Sequence, residues 1–316
     1  VPDGGGRPLD RHLAARLLTL ACCLVLAAAV LAGCGSEQPS APAPQPVATR
    51  TLALHDASRD TAAGDHDRAA RAGRDLPTSL WYPEHGRGPF PVVVFSHGLA
   101  ARPAGFADLL SGWAAAGFVV AAPQFPLTSQ GSSDDDLTDV LNQPADVAFV
   151  LTQVLALDRA PGDPLEGRID ERHIAAAGHS AGAATTLGLL FSCCQDPRIT
   201  AAVVLAGTTL GNPVAFAGRP VPVLFVHGSG DTLAPIDAAR DICAAAPGPT
   251  AFVTLTDGEH ARPFYDPRDP QERIVRSVTA DFLRWTLRSE ASVVSRLRAD
   301  AHHPGLAELT HDGLPA

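Results

Sequence analysis

The apolar positions of this chain gather into short runs broken by Gly, Pro, Ser and Asp, with longer mixed stretches between them. Pro91–Ser96 reads P-V-V-V-F-S, apolar at successive positions, which is the pattern of a strand covered on both faces. Phe118–Ala122, the run after Arg172 (Ile174–Ala177), Ile199–Ala206, Val221–His227 and Ala251–Leu255 follow as further strands. Thr49–His55 and Thr78–Tyr82 precede them, divided by a polar Arg/Asp/Gly loop. Helices are expected over Ala104–Ala116 (ended by Gly117), Leu137–Leu157, Ala183–Leu190, Pro235–Ala246 and Gln271–Leu287. Strands alternating with helices predict an α/β protein with a mostly parallel sheet, right-handed crossovers and helices on both faces. One domain over 49–287 accounts for the whole pattern. Residues 288–316 read as one more helix and a loose tail.

The first residues carry a different pattern. Arg7, Arg11 and Arg16 form a basic start, and Leu17–Leu31 is almost unbroken apolar chain ending in Leu31-Ala32-Gly33-Cys34. A basic region, a short apolar core and small residues before a cut site read as an export signal over 1–33. The run is short for a spanning helix of about 20 residues. Its L-A-G-C ending resembles the lipobox of bacterial lipoproteins, which implies lipidation of Cys34 and an exported, membrane-anchored protein. Residues 34–48, rich in Pro, Ser and Ala, then form an extended tether.

Composition narrows the chemistry. The 24 basic residues are all Arg, and the absence of Lys excludes a Ser–Lys dyad, a Schiff base and a P-loop lysine. Met is absent even at position 1, so Val1 is read as an alternative start in a GC-rich bacterial genome. A net charge of −10 argues against a nucleic-acid partner. Of six cysteines, Cys22 and Cys23 leave with the signal and Cys34 takes lipid. One disulfide is expected among the rest, from Cys194 (or Cys193) to Cys243, with a strained vicinal Cys193–Cys194 bridge as the alternative. The cysteines lack a zinc spacing, and the Asp134–Asp136 run lacks the alternating acids of a calcium loop. The latter reads instead as helix N-terminal charge, and neither metal nor cofactor is expected.

One pentapeptide carries chemistry. Gly178-His179-Ser180-Ala181-Gly182 lies between a strand and a helix, the context in which G-x-S-x-G becomes a nucleophile elbow. A serine hydroxyl needs a base to take its proton and a carboxylate to orient that base. In this strand–helix order the acid and the histidine follow on loops after later strands. Val221–His227 runs into Asp231, and Ala251–Leu255 runs into His260, both at C-terminal strand ends where open α/β sheets build sites. The expected triad is Ser180, Asp231 and His260. Asp257 and Glu259 sit too near His260 on its own loop to serve as the acid. The expected oxyanion donors are the backbone N–H groups of Ala181 and of Leu99, the latter aimed by the turn at Gly98.

With those residues in place, the run from about Thr51 to Leu287 resembles the α/β-hydrolase fold. Trp81-Tyr82-Pro83, Pro91–Leu99 and G-H-S-A-G are similar to platelet-activating-factor acetylhydrolase-like and dienelactone-hydrolase-like esterases. Asp231-Thr232-Leu233-Ala234-Pro235 is similar to bacterial cutinase-type polyester hydrolases. The acetylhydrolase resemblance implies the same oxyanion donors, Leu99 and Ala181. Ser180 departs from the cysteine nucleophile of dienelactone hydrolases proper, and Ala181 from the Met that usually follows the serine in polyester hydrolases. The implied activity is cleavage of carboxylic esters, short-acyl or lipid, through an acyl-enzyme. The alternatives are a polyester hydrolase and a catalytically silent binding lipoprotein. The segment Thr208–Pro220 is short for a lid, and Phe106, Phe125, Phe216, Phe264 and Tyr265 are candidate rim residues, each of which core packing also explains.

Overall fold

The structure, a computed structural model, describes Val1 and residues 44–64, 68–132, 136–191, 194–210, 216 and 219–315. The signal apart from Val1, Cys34, Cys193, Asp134, Asp135 and residues 211–215, 217 and 218 lie outside the described residues. Among the described residues no helix is long and apolar enough to cross a membrane.

Nine strands form one sheet: β1 (Val47–Asp56), β2 (Arg74–Pro83), β3 (Phe90–Ser96), β4 (Val119–Pro123), β5 (Ile169–His179), β6 (Ile199–Leu205), β7 (Val223–Gly228), β8 (Thr250–Leu255) and β9 (Ala307–Asp312). Their order is β1-β2-β4-β3-β5-β6-β7-β8-β9. The six from β4 to β8 in that order are mutually parallel, while β1, β2 and β9 pair antiparallel at the two margins. The swap of β3 and β4 is what opens a crevice over the C-terminal ends of the central strands.

Helices cover both faces. Helix α1 (Ala107–Ala115), the late helix α6 (Pro270–Arg288) and α7 (Val294–Asp300) pack one side, where Trp113, Phe282 and Leu297 meet Val93, Phe95 and Val203. Helices α2 (Gln143–Ala156), α3 (Ala181–Phe191) and α4 (Ile236–Ala245) pack the other, where Val150, Leu187 and Ile242 meet Val92, Val94 and Val204. A short helix α5 (Arg262–Tyr265) lies between α4 and α6 in the chain. Successive residues of β3 thus serve opposite layers, and both layers are apolar, as the unbroken P-V-V-V-F-S run requires.

Three expectations change. The predicted helix Leu137–Leu157 is a 3₁₀ turn, Leu137–Leu141, followed by α2. Pro144, lacking an N–H, is accommodated only in a first helical turn and so begins a new helix. Asp136 caps the 3₁₀ turn, accepting the Thr138 N–H at 3.0 Å. The expected loose tail instead supplies β9 after α7. Its A-E-L-T-H-D sequence is too polar to announce a strand, and it is held by Thr310 Oγ1 to Thr254 Oγ1 at 2.9 Å and His311 Nε2 to Thr250 Oγ1 at 3.0 Å. Finally, the expected Cys194–Cys243 disulfide is absent. Cys243 is a free thiol buried with Ala239, Ile242 and Phe252 beneath the sheet, where burial pushes its ionisation up. Cys194 is bonded to a cysteine outside the described residues.

Candidate active site

Strand β5 ends at His179, and α3 begins at Ala181, leaving Ser180 alone in the bend with φ of +55°. A left-handed serine is strained, and the strain lifts its Oγ clear of both elements. The flanking glycines are sterically obligatory. A Cβ on Gly178 would stand 2.1 Å from the Gly182 carbonyl oxygen, and one on Gly182 would stand 2.0 Å from that of Ser96. The Ser180 N–H is tied to Leu205 O at 3.0 Å, which fixes the bend to the end of β6.

The structure brings the three predicted side chains together. His260 Nε2 lies 2.8 Å from Ser180 Oγ, and His260 Nδ1 lies 2.7 Å from Asp231 Oδ2. With its proton on Nδ1, the imidazole donates to the carboxylate and accepts from the serine hydroxyl. Asp231 also accepts the N–H groups of Leu233 (2.9 Å) and Ala234 (2.8 Å) on Oδ1. Burial alone would raise this carboxyl, but the Ala234 N–H, the His260 ring and the Leu233 N–H outweigh it and hold it below the usual carboxylate range.

Three further histidines surround this relay. His97, His179 and His227 each close an apolar strand beside a glycine, at the C-terminal ends of β3, β5 and β7. All three are buried and neutral: burial lowers His97 to about 4 and His179 to about 3, and lowers His227 likewise. His179 Nε2–H donates to the His260 carbonyl at 2.8 Å and so holds that residue's backbone. His227 Nε2 lies 2.8 Å from Ala234 O and 3.1 Å from Asp231 Oδ2. Burial keeps this ring neutral, so its single Nε2–H donates to the Ala234 carbonyl and the ring edge rests against the Asp231 carboxylate. His97 Nδ1–H donates to Gly98 O at 2.8 Å, while its Nε2 accepts the Phe125 N–H at 3.2 Å. That ring pins the turn after β3 to the loop after β4. The sequence-based expectations include the turn at Gly98 beside His97, but no role for His97, His179 or His227. The shared signal, a histidine next to glycine at the end of three parallel strands, was present in the chain.

The two N–H groups expected to face an oxyanion are suitably free. Among the described residues neither the Leu99 nor the Ala181 N–H makes a hydrogen bond. Ala181 opens α3, so its N–H belongs to the unpaired positive end of that helix. The turn carrying Leu99 is pressed against the nucleophile: a Cβ on Gly98 would lie 3.2 Å from Ser180 Cβ.

A cavity of about 470 Å³ opens over Ser180 and His260, walled by Leu99, Arg102, Phe106 and Tyr265. Of the candidate rim aromatics, Tyr265 is exposed, and Phe106 lines the cavity while packing against Tyr265 and His179. Phe125 and Phe264 are core, tilted against His97 and His179, and Phe216 packs on Phe191.

Residues 68–215 match the family model described as Chlorophyllase. No curated protein matches the chain. The matched stretch holds the turn at Leu99 and the elbow, and it stops before Asp231 and His260. The fold is that of the α/β-hydrolases. The polar groups described above lie where this fold builds its sites, at the C-terminal ends of β3, β5, β7 and β8.

Proposed function

We propose that this α/β-hydrolase is an exported, lipid-anchored serine esterase that cleaves carboxylic esters through an acyl-enzyme. The observation that carries the reading is the unbroken hydrogen-bonded line Ser180–His260–Asp231, with two unengaged N–H groups beside it. Ser180 Oγ attacks the ester carbonyl as His260 Nε2 takes its proton. The developing oxyanion is met by the N–H groups of Leu99 and Ala181. Asp231 holds the imidazole tautomer and stabilises its cation. His260 then returns the proton to the departing alcohol, and water repeats the sequence to release the acid. The similarity to acetylhydrolase-like esterases favours short or lipid acyl chains. The Leu31–Cys34 motif supports the anchor, and mass spectrometry of the mature N-terminus tests it, a diacylglyceryl group on Cys34 being the expected result.

Substrate range is tested by one panel: p-nitrophenyl esters of rising chain length, a short-acyl phospholipid and a polyester film. Preference for acetyl to butyryl esters with no film hydrolysis agrees with the proposal. Film hydrolysis moves the assignment to a polyesterase. No turnover of any ester returns the chain to a binding lipoprotein.

A further inference from the structure

Resting on the esterase reading, we propose that the cavity takes esters that carry a carboxylate, and that Arg102 binds it. Arg102 is the one side chain of fixed charge in the cavity wall; the other titratable groups there are His179, His260 and Tyr265, and no carboxylate lines it. The chain as a whole is acidic, with a net charge of −10, so a cavity of positive sign runs against the average of the molecule.

The backbone around Arg102 is fixed while its head is free. Ala101 N–H donates to Gly98 O at 3.2 Å, Gln130 N–H to Ala101 O at 2.8 Å, and Gly105 N–H to Arg102 O at 3.0 Å. The guanidinium is exposed and, among the described residues, has neither an ion pair nor a hydrogen bond. Its counterparts elsewhere are mostly tied down, as Arg74, Arg198, Arg284 and Arg296 are to carboxylates. The exposed amide of Gln130, held beside Ala101, adds a neutral donor to the same wall. A guanidinium fork with an amide next to it is the donor set that a carboxylate accepts. Arg102 follows Leu99 by three residues, at most about 10 Å of chain. An anion held there therefore shares the cavity with a carbonyl held by the Leu99 N–H. The carboxylate belongs either to the acyl part, as in a dicarboxylic hemiester, or to the alcohol part.

The test compares kcat/KM for matched pairs: mono-p-nitrophenyl glutarate against p-nitrophenyl butyrate for the acyl side, and 4-carboxyphenyl butyrate against its methyl ester for the alcohol side. Each acidic-to-neutral ratio is measured in the wild type, Arg102→Gln and Arg102→Lys, at low and high salt. Using ratios cancels the intrinsic reactivity of the esters and any general loss of activity. The expected result is a ratio for one pair that falls about tenfold in Arg102→Gln, is largely kept in Arg102→Lys, and declines with salt in the wild type. The pair that responds assigns the carboxylate to its side of the ester. Ratios that are the same in wild type and Arg102→Gln for both pairs, with the neutral esters still hydrolysed, overturn the inference and leave the esterase reading standing. If the wild type hydrolyses none of the four esters, the esterase reading fails and this inference with it.

Discussion

Two buried polar clusters in this molecule are built on opposite principles. At the C-terminal ends of the parallel strands, Asp231 is surrounded by the rings of His227 and His260 and by backbone N–H groups, and burial holds His97, His179 and His227 uncharged. On the other flank, Arg74 of β2 is locked between Asp139 and Asp146, all three almost fully buried, with Arg59 bridging Asp146 to Asp56. Four hydrogen bonds of 2.7 to 3.0 Å join the Arg74 guanidinium to the two carboxylates and hold it charged. The first cluster sets His260 between the Ser180 hydroxyl and the Asp231 carboxylate, the one ion-pair partner it has among the described residues. The second cannot exchange a proton without stranding a charge away from water. Neutral packing suits a site that must change state, and a closed charge network suits a joint that must not.

That contrast can be broken from either side. The largest effect is expected at the nucleophile: Ser180→Ala lowers kcat by up to ~10⁶ and Asp231→Asn by about 10⁴, both with little change in melting temperature. Steady-state kinetics and calorimetry on the same samples check the two halves. Arg74→Ala reverses the pattern, since it leaves Asp139 and Asp146 buried without their partner. It should cost roughly 3–5 kcal/mol of stability in a urea titration, while activity per folded molecule is kept. If that variant does not fold, Asp139→Asn should show the same direction with a smaller loss.

A pH titration separates the clusters further. An unfolded imidazole takes a proton near pH 6.5, whereas His97 and His179 in the folded protein resist until about 4 and 3. Between those limits the unfolded chain binds more protons, so stability is full above about pH 6.5 and falls as the pH drops towards 4. Each buried imidazole contributes a slope of about 1.4 kcal/mol per pH unit in that window. Chemical denaturation at a series of pH values measures it, and replacing His97 by Gln should flatten the curve. The smallest effect is expected from His227→Phe, which removes the ring that ties the Ala234 carbonyl beside Asp231: a loss in kcat on the order of tenfold with KM little changed.

The central strands were readable because parallel strands buried on both faces leave unbroken apolar runs, as Pro91–Ser96 and Val221–His227 do. Ser180, Asp231 and His260 stood out because a strand end, a turn and a catalytic residue type coincide in one short stretch. The edge strand Ala307–Asp312 did not, since an edge needs only one apolar face and this one has mostly polar positions. Nor did the role of His179, whose partner is a carbonyl 81 residues away. The Cys194–Cys243 pairing failed for a related reason. Compartment and count say that a bridge is expected, but only packing says that Cys243 faces the apolar layer under α4.

The central claim is that Ser180 is a nucleophile activated by His260. Labelling the folded protein with a fluorophosphonate probe and mapping the adduct by peptide mass spectrometry tests it directly. The account predicts one adduct, on Ser180, formed in step with the loss of p-nitrophenyl butyrate hydrolysis and abolished in His260→Ala. A protein that hydrolyses the ester while Ser180 stays unlabelled, or a Ser180→Ala variant that keeps wild-type turnover, would contradict it.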